Sequence, residues 1–169
     1  MIVHTTDRLT LRRVTLDDAP FVYELVTDPD WLRFIGDRGV KTVVDAAAYL
    51  ARAYLPHYER HGFGLYVVEP RGNGGPLGLC GLLKRDTLEH PDIGFAFLPH
   101  ARGTGYATEA ARVVLAHAHD VLGFRRVIAI ANPENAGSRR VLTKIGMRDE
   151  GVRAMGEPPE DLALYASER

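Results

Sequence analysis

The sequence predicts an α+β protein with both antiparallel and parallel strands, and two observations carry this prediction. Residues 63–98 contain three short apolar segments separated by turns rich in glycine, proline and charge, a pattern typical of antiparallel neighbours. Residues 93–130 then follow the order strand, helix, strand. Because a crossover of this kind joins parallel strands, we expect both strand directions in one fold.

The first third of the chain is predicted to hold one strand followed by two helices. Residues 9–14 alternate as a strand does. The segment Thr15–Asp18 resembles a capping box that opens a helix, and Thr42–Asp45 resembles a second box before an alanine-rich helix. Residues 28–42 have turn chemistry and are expected to form a loop.

The remaining elements alternate between strands and helices. The predicted strands cover residues 63–69, 77–84, 93–98, 126–130, 147–153 and 162–165. A helix with apolar residues at 111, 115, 118 and 122 is expected to stop at Gly123, and Asn135 is expected to cap a last helix that Gly146 closes. The loop at residues 71–75 suits a hairpin.

Length and composition indicate one globular unit, so residues 1–169 are predicted to form a single domain. The net charge of -1 supplies no overall attraction to nucleic acid or to an anionic membrane, and neither is an expected partner. The only cysteine, Cys80, lies in an apolar run and is expected to be a buried strand residue rather than a catalytic thiol. The N-terminus does not resemble a secretory signal, so a cytoplasmic location is expected. Nothing in the sequence indicates the oligomeric state.

The most informative motif is the turn at residues 100–110, which reads H-A-R-G-T-G-Y-A-T-E-A. Two glycines allow a tight turn, and the helix that follows directs free N–H groups and its positive dipole end toward the same place. The turn therefore predicts an anion site, with phosphate as its natural ligand. A dinucleotide-binding fold is disfavoured because G-x-G-x-x-G is absent, and a Walker loop because Gly-Lys-Ser/Thr is absent. A plain turn without a ligand is the remaining alternative.

A metal site is not expected. His117, His119 and Asp120 lie close together in the sequence. Residues two apart on a helix point to different faces, however, so these side chains do not form a convincing set of ligands.

The order of motifs resembles the GCN5-related N-acetyltransferase (GNAT) superfamily. After the turn R-G-x-G-Y-A come a helix that starts T-E-A, a strand, and the motif N-x-x-N-x-x-S-x-x-x-L-x-K-x-G-M. The resemblance covers nearly the whole chain and is strongest to the branch of ribosomal-protein N-terminal alanine and serine acetyltransferases. It implies the acyl-CoA N-acyltransferase fold, a three-layer α+β arrangement with a mixed, mostly antiparallel sheet. The fourth and fifth strands, here residues 93–98 and 126–130, would splay apart around acetyl-CoA.

The resemblance also implies how acetyl-CoA, the acetyl donor, would be held. Backbone N–H groups of the turn would bind its pyrophosphate, and the pantetheine arm would lie beside β-strand residues 95–98 like an added strand. The implied cofactor-binding residues are Phe95, Ala96, Phe97, Leu98, Arg102, Gly103, Thr104, Gly105, Tyr106, Ala107, Asn135, Ser138 and Arg140. His100 stands where the family has Gln or Arg, and Arg102 is expected to compensate. Arg139 is a further candidate for the adenosine phosphate.

Direct attack of an amine on the thioester, as in the family, nominates three catalytic residues. The backbone N–H near Phe95 would polarise the carbonyl. Ser138 is the candidate general acid, although it can also serve only the first turn of its helix. Asp92 is the first candidate for the general base, ahead of Glu89 and His90, with a solvated strand-end charge as the alternative.

Glu109 is expected to be structural, because the helix dipole favours an acid in the first turn and a carboxylate would repel a pyrophosphate.

The acceptor is expected to lie between residues 28–42 and residues 157–161. The aromatic residues Trp31 and Phe34, with three nearby aspartates (Asp28, Asp30 and Asp37), suit an apolar cationic acceptor or a packed loop with an acidic rim. The sequence therefore predicts an acetyl-CoA-dependent N-acetyltransferase, a transferase acting on a primary amine of a protein N-terminus or a small molecule. The alternatives are a noncatalytic acyl-CoA-binding or sensing module and an interaction domain without cofactor.

Overall fold

The computed structural model describes residues 1–169 as eight strands and six α-helices. The strands are β1 Ile2–Thr5, β2 Leu9–Arg13, β3 Leu65–Pro70, β4 Gly78–Leu83, β5 Asp92–Phe97, β6 Arg126–Ala131, β7 Arg148–Met155 and β8 Glu160–Glu168. The helices are α1 Ala19–Val26, α2 Pro29–Phe34, α3 Val43–Tyr49, α4 Leu55–His61, α5 Tyr106–Asp120 and α6 Ala136–Lys144.

The strands form one mixed sheet in the order β1-β2-β3-β4-β5-β6-β8-β7. All neighbours are antiparallel except β5 and β6, which are parallel and share a single residue pair, Asp92 with Ile128. Beyond that pair the two strands diverge, which confirms the predicted splay. They are the fifth and sixth strands rather than the fourth and fifth, because the sequence analysis missed β1, a four-residue strand at the edge of the sheet.

Helices cover both faces of the sheet, which confirms the three-layer arrangement. Alternating residues of β3 show why: Tyr66 and Val68 face a core shared with α5 and α6, whereas Leu65 and Val67 face a core shared with α1, α2 and α3. Cys80 is buried in the first of these cores, as predicted, and burial raises the pKa of its thiol. No helix is long and apolar enough to cross a membrane.

The capping box predicted at Thr42–Asp45 is present. The Asp45 N–H donates to Thr42 Oγ1 at 3.1 Å, and the Thr42 N–H donates to the Asp45 carboxylate at 3.0 Å. The helix that it opens continues beyond Leu55: α3, a five-residue π-helical turn at Leu50–Tyr54 and α4 follow one another without a break.

The expected loop at residues 28–42 is partly wrong, because it contains α2. Asp28 caps this helix by accepting a hydrogen bond from the Asp30 N–H at 3.1 Å, and Pro29 occupies its first position. Six residues are too few to show a helical period, which is why the sequence pattern did not reveal the helix.

The C-terminal elements follow the prediction more closely. Asn135 Oδ1 accepts the Ser138 N–H at 3.1 Å and caps α6, while Gly146 ends the helix with φ +88°. The strands β7 and β8 pair antiparallel and are longer than predicted.

Candidate active site

A cavity of about 950 Å³ opens where β5 and β6 diverge. It brings together most of the residues singled out from the sequence, namely Asp92, Phe95, Ala96, Phe97, Arg102, Gly103, Gly105, Tyr106, Ala107, Asn135, Ser138 and Arg140. Leu98 does not line it, because its side chain is buried in the core and its N–H donates to Leu77 O at 2.9 Å. Thr104 does not line it either; this residue is exposed, and its hydroxyl donates to Ala101 O at 3.1 Å.

The glycine turn leaves a run of main-chain donors free. Gly103 and Gly105 adopt φ of +74° and +83°, which L side chains rarely do. The N–H groups from Gly103 to Thr108 donate to no backbone acceptor, and the first helical bond of the turn is that of the Glu109 N–H to Gly105 O. Six consecutive N–H groups therefore have no backbone acceptor at the positive end of the α5 dipole, an arrangement that suits an anion.

Glu109 holds this turn in position from outside the cavity. Its carboxylate accepts hydrogen bonds from Thr6 Oγ1 and from Arg8 Nε, both at 2.6 Å. Arg8 also donates through Nη1 to Thr104 O at 2.8 Å. The turn is thus tied to the connection between β1 and β2, and Glu109 makes the structural contacts expected of it.

The side chain of Arg102 is fully engaged within the chain. Its Nε donates to Phe97 O at 2.9 Å, while Nη1 and Nη2 pair with Asp30 at 2.5 Å and Asp28 at 2.8 Å. These bonds do not support the expectation that Arg102 compensates for His100 at a phosphate. The same guanidinium pairs with two of the three aspartates of the expected acidic rim, while Asp30 and Asp37 remain exposed.

The edge of β5 that faces the gap has unpaired main-chain groups. The bond from the Leu98 N–H to Leu77 O fixes the alternation of this strand, so even-numbered residues bond to β4 and odd-numbered residues face β6. At the single point where β5 and β6 pair, the Ile128 N–H donates to Pro91 O at 3.0 Å. Farther along, Phe95 has no strand partner for its N–H and C=O.

Asp92 lies at the point where the strands part, and it is buried. The residue is 1% exposed, and its carboxylate pairs with Arg85 Nε at 3.2 Å. Burial raises the pKa of Asp92, and the charge of Arg85 opposes this rise. Because it is buried, the alternative of a solvated strand-end charge is wrong. The Glu89 side chain is 89% exposed, and neither Glu89 nor His90 lines the cavity.

The start of α6 contributes polar groups from the opposite wall. Ser138 uses its N–H in the cap, but its Oγ has no hydrogen bond within the chain, and Ser138 lines the cavity. Arg140 also lines the cavity and has no ion pair. Arg139 turns away, because it bonds to Tyr165 Oη at 3.1 Å and Asp149 at 3.2 Å, and is therefore not available to a phosphate of the cofactor.

The far end of the cavity is lined by aromatic side chains. Trp31 and Phe34, both candidates from the sequence, come from α2, while Tyr49 ends α3 and Tyr54 ends the π-helical turn. The two tyrosine hydroxyls are 3.4 Å apart, and burial raises the pKa of Tyr54. Neither tyrosine was among the candidates from the sequence. Glu160 also lines the cavity, so the segment expected at residues 157–161 does reach it.

The histidine cluster of α5 is used structurally. His119 bonds through Nδ1 to Phe124 O at 2.6 Å and through Nε2 to Ser167 Oγ at 2.9 Å. The structure brings together no group of three His, Cys, Asp or Glu side chains that could hold a metal ion.

Comparison with known proteins identifies the class to which this fold and cavity belong. Residues 8–148 match the family model of the acetyltransferase (GNAT) domain, so the chain belongs to the GNAT acetyltransferase family. The N-acetyltransferase YnaD of Bacillus subtilis strain 168, itself uncharacterized, is 33% identical over 147 residues, which cover 87% of this chain and 83% of YnaD.

Solved structures agree with this assignment. The GNAT-family acetyltransferase of Bacillus anthracis superposes with a TM-score of 0.79 and 29% identity over 99% of this chain and 98% of its own. RimL, a ribosomal L7/L12 alpha-N-protein acetyltransferase solved in complex with coenzyme A, has a TM-score of 0.79 over 99% of this chain and 98% of its own. Its identity is 16%, so this likeness shows the fold alone.

Proposed function

We propose that this chain, as one domain over residues 1–169, transfers an acetyl group from acetyl-CoA to a primary amine. The observation that carries the proposal is the run of six main-chain N–H groups, Gly103 to Thr108, without acceptors beside a cavity between diverging strands. Such a nest suits a diphosphate. The coenzyme A bound in the RimL structure supports the same ligand.

The residues that would hold acetyl-CoA are mainly backbone groups. The turn would take the pyrophosphate, and the free N–H and C=O of Phe95 would bond the pantetheine arm as an added strand does. The side chains of Asn135 and Arg140, which also line the cavity, would supply polar contacts from α6. The side chains of Ala96, Tyr106 and Ala107, which also line the cavity, would make apolar contacts with acetyl-CoA.

When bound, acetyl-CoA supplies an acetyl thioester, the electrophile that the amine nitrogen attacks. Asp92 would take the proton that the ammonium must lose, directly or through water, and its raised pKa makes it a stronger base than an ordinary aspartate. The Phe95 N–H would donate to the carbonyl oxygen as negative charge grows there. As the C–N bond forms and the C–S bond breaks, Ser138 Oγ would give its proton to the departing sulfur. The second proton of the amine nitrogen would pass to solvent, from which Ser138 would regain one.

The test is an amine screen by mass spectrometry, with acetyl-CoA as donor and a panel of small amines, amino acids and short peptides as acceptors. We expect one acceptor class to gain an acetyl group with stoichiometric release of coenzyme A thiol. A thermal shift with coenzyme A, but no product with any amine, would instead favour the noncatalytic acyl-CoA-binding module. Absence of both would overturn cofactor binding.

A further inference from the structure

The cations that line the cavity differ in whether the chain already neutralises them. Arg85 is paired with Asp92, and Arg102 is paired with Asp28 and Asp30. Lys84 Nζ donates to two backbone carbonyl oxygens. Arg140 and Lys144 come from α6, on the side of the glycine turn. The remaining cation is Arg38. It belongs to the end of the cavity that Trp31, Phe34, Tyr49 and Tyr54 line, which is called the acceptor end below.

Arg38 lies in the connection between α2 and α3, and its guanidinium has no ion pair within 4.0 Å and no hydrogen bond. Its neighbour Asp37 instead accepts the Gly39 N–H at 2.7 Å. The charge of Arg38 acts on the hydroxyl of Tyr54, where it opposes the rise in pKa that burial causes. A free guanidinium therefore lies close to the aromatic wall of the acceptor end.

Trp31 is a second side chain at the acceptor end with an unpaired hydrogen-bond donor. The residue is 7% exposed and lines this cavity, yet its indole Nε1–H is buried and has no acceptor in the chain. A buried donor without a partner costs about 1–3 kcal/mol, so native proteins rarely leave one unsatisfied. Because Nε1 is itself buried, a ligand oxygen at this wall would remove that cost after a small movement of the ring.

The acids at this end are largely engaged. Asp30 and Asp92 each pair with an arginine, and Glu160 is the one carboxylate lining the cavity that has no ion pair. A polyamine would need several free carboxylates, because complementary charge determines which partner is accepted. The acceptor end offers instead a guanidinium and an indole N–H against apolar rings.

We propose that the acceptor is a small amine that also carries a carboxylate on an apolar body, as a free apolar amino acid does. Arg38 binds the carboxylate, and Trp31 Nε1–H is an additional donor for an oxygen of the ligand. The aromatic rings of Trp31, Phe34 and Tyr54 cover the apolar body. This assignment names the acceptor class of the function proposed above and therefore rests on it.

A kinetic experiment tests the carboxylate directly by comparing L-phenylalanine, L-leucine and L-methionine with their amides. Each amide keeps the amine and the apolar body but lacks the negative charge. We expect the free acids to be acetylated with a kcat/KM about 30-fold above that of the amides, about 2 kcal/mol of discrimination. Arg38→Met should remove this preference by lowering kcat/KM for the acids alone, with the KM for acetyl-CoA unchanged.

The matched control is Arg125→Met. Arg125 is exposed, has no ion pair and lies outside the cavity, so its loss removes the same charge without touching the acceptor end. We expect this variant to keep the preference for the acids. Equal rates for acids and amides in the unchanged protein, or a greater kcat/KM for peptide N-termini than for free amino acids, would overturn the inference while leaving acetyl transfer intact.

A binding experiment decides the inference without turnover. Trp31 is the only tryptophan of the chain, so its fluorescence reports on this wall alone. Titration with N-acetyl-L-phenylalanine should change the emission in a saturable way, and Arg38→Met should weaken that binding at least tenfold. The corresponding amide should bind at least tenfold more weakly than the acid to the unchanged protein. No saturable response to the acid would overturn the carboxylate site, even if the protein transfers acetyl groups to other amines.

Discussion

The two ends of the cavity present different parts of the chain to a ligand. The donor end of the proposed function would use main-chain groups from one continuous segment, Gly103 to Thr108, and from the free edge of β5. The acceptor end would use side chains from segments far apart in the sequence, such as Trp31, Tyr54 and Glu160. Main-chain donors survive most side-chain replacements, whereas a side-chain wall changes with each one. On the proposed function, substitutions can therefore change the acceptor without changing the donor.

The largest effect is expected at Asp92, where β5 and β6 part. We expect Asp92→Asn to lower kcat/KM by about 10²–10³-fold with every acceptor, because the amide cannot take the proton of the ammonium. In the unchanged protein kcat/KM should rise with pH through the raised pKa of Asp92, and the variant should lack this limb. Kinetics of thiol release over a range of pH measure both effects.

The melting temperature of Asp92→Asn distinguishes a catalytic role of Asp92 from a role in stabilising the fold. The pKa of Asp92 is higher in the folded protein than in the unfolded chain. Its protonated carboxyl therefore stabilises the folded state fully below the unfolded pKa near 3.9. This contribution is lost as pH rises through the folded pKa. The charged carboxylate thus opposes folding at neutral pH, so the variant should melt no lower than the unchanged protein.

The control for activity is Asp86→Asn, at an exposed aspartate nearby, which should leave activity as it is. Unaltered turnover in Asp92→Asn would remove it from the role of base.

The second test addresses the donor end alone. Gly105→Val should raise the Kd for coenzyme A about 100-fold, about 2.8 kcal/mol, because valine does not tolerate φ +83° and the turn must distort. Gly72→Val is a matched control, since Gly72 has φ +94° but lies in the hairpin between β3 and β4, away from the cavity. Calorimetric titration measures both. The same Kd in the two variants would contradict the assignment of the turn as the cofactor cradle.

The third and smallest effect is expected at Ser138. Ser138→Ala should lower kcat about tenfold while the Kd for coenzyme A stays within about twofold, because the helix cap uses the backbone N–H and not the hydroxyl. Thr143→Ala removes a hydroxyl from the same helix, where it bonds to Arg139 O, and should leave kcat unchanged. Turnover of Ser138→Ala equal to that of the unchanged protein would leave the serine with a structural role only.

The same contrast explains how much of the molecule could be predicted. The anion turn and the caps at Thr42 and Asn135 depend on residues close in sequence, so their patterns were visible. The splayed strands and the contacts along β5 were expected only from the resemblance to the GNAT superfamily. The helix α2 was missed because six residues show no period, and β1 because it is short and at the edge of the sheet.

The acceptor end could be assigned only in outline, because tertiary contacts decide which of its charges stay free. Nothing local to Arg102 shows that it will neutralise Asp28 and Asp30, or that Arg38 will be left without a partner. The pairing of Arg85 with Asp92 likewise joins residues that the pattern treats separately. Tyr54 reaches the cavity from a π-helical turn, which has no sequence signature.

The bonds of Arg102 join the two ends mechanically. One guanidinium spans from the last carbonyl of β5, next to the glycine turn, to both carboxylates at the start of α2. A shift of that turn on binding of coenzyme A would therefore pull on the helix that carries Trp31. If it does, thermodynamic reciprocity requires that the cofactor and the acceptor alter the affinity for each other by the same factor. Bisubstrate kinetics should accordingly show interdependent rather than independent saturation.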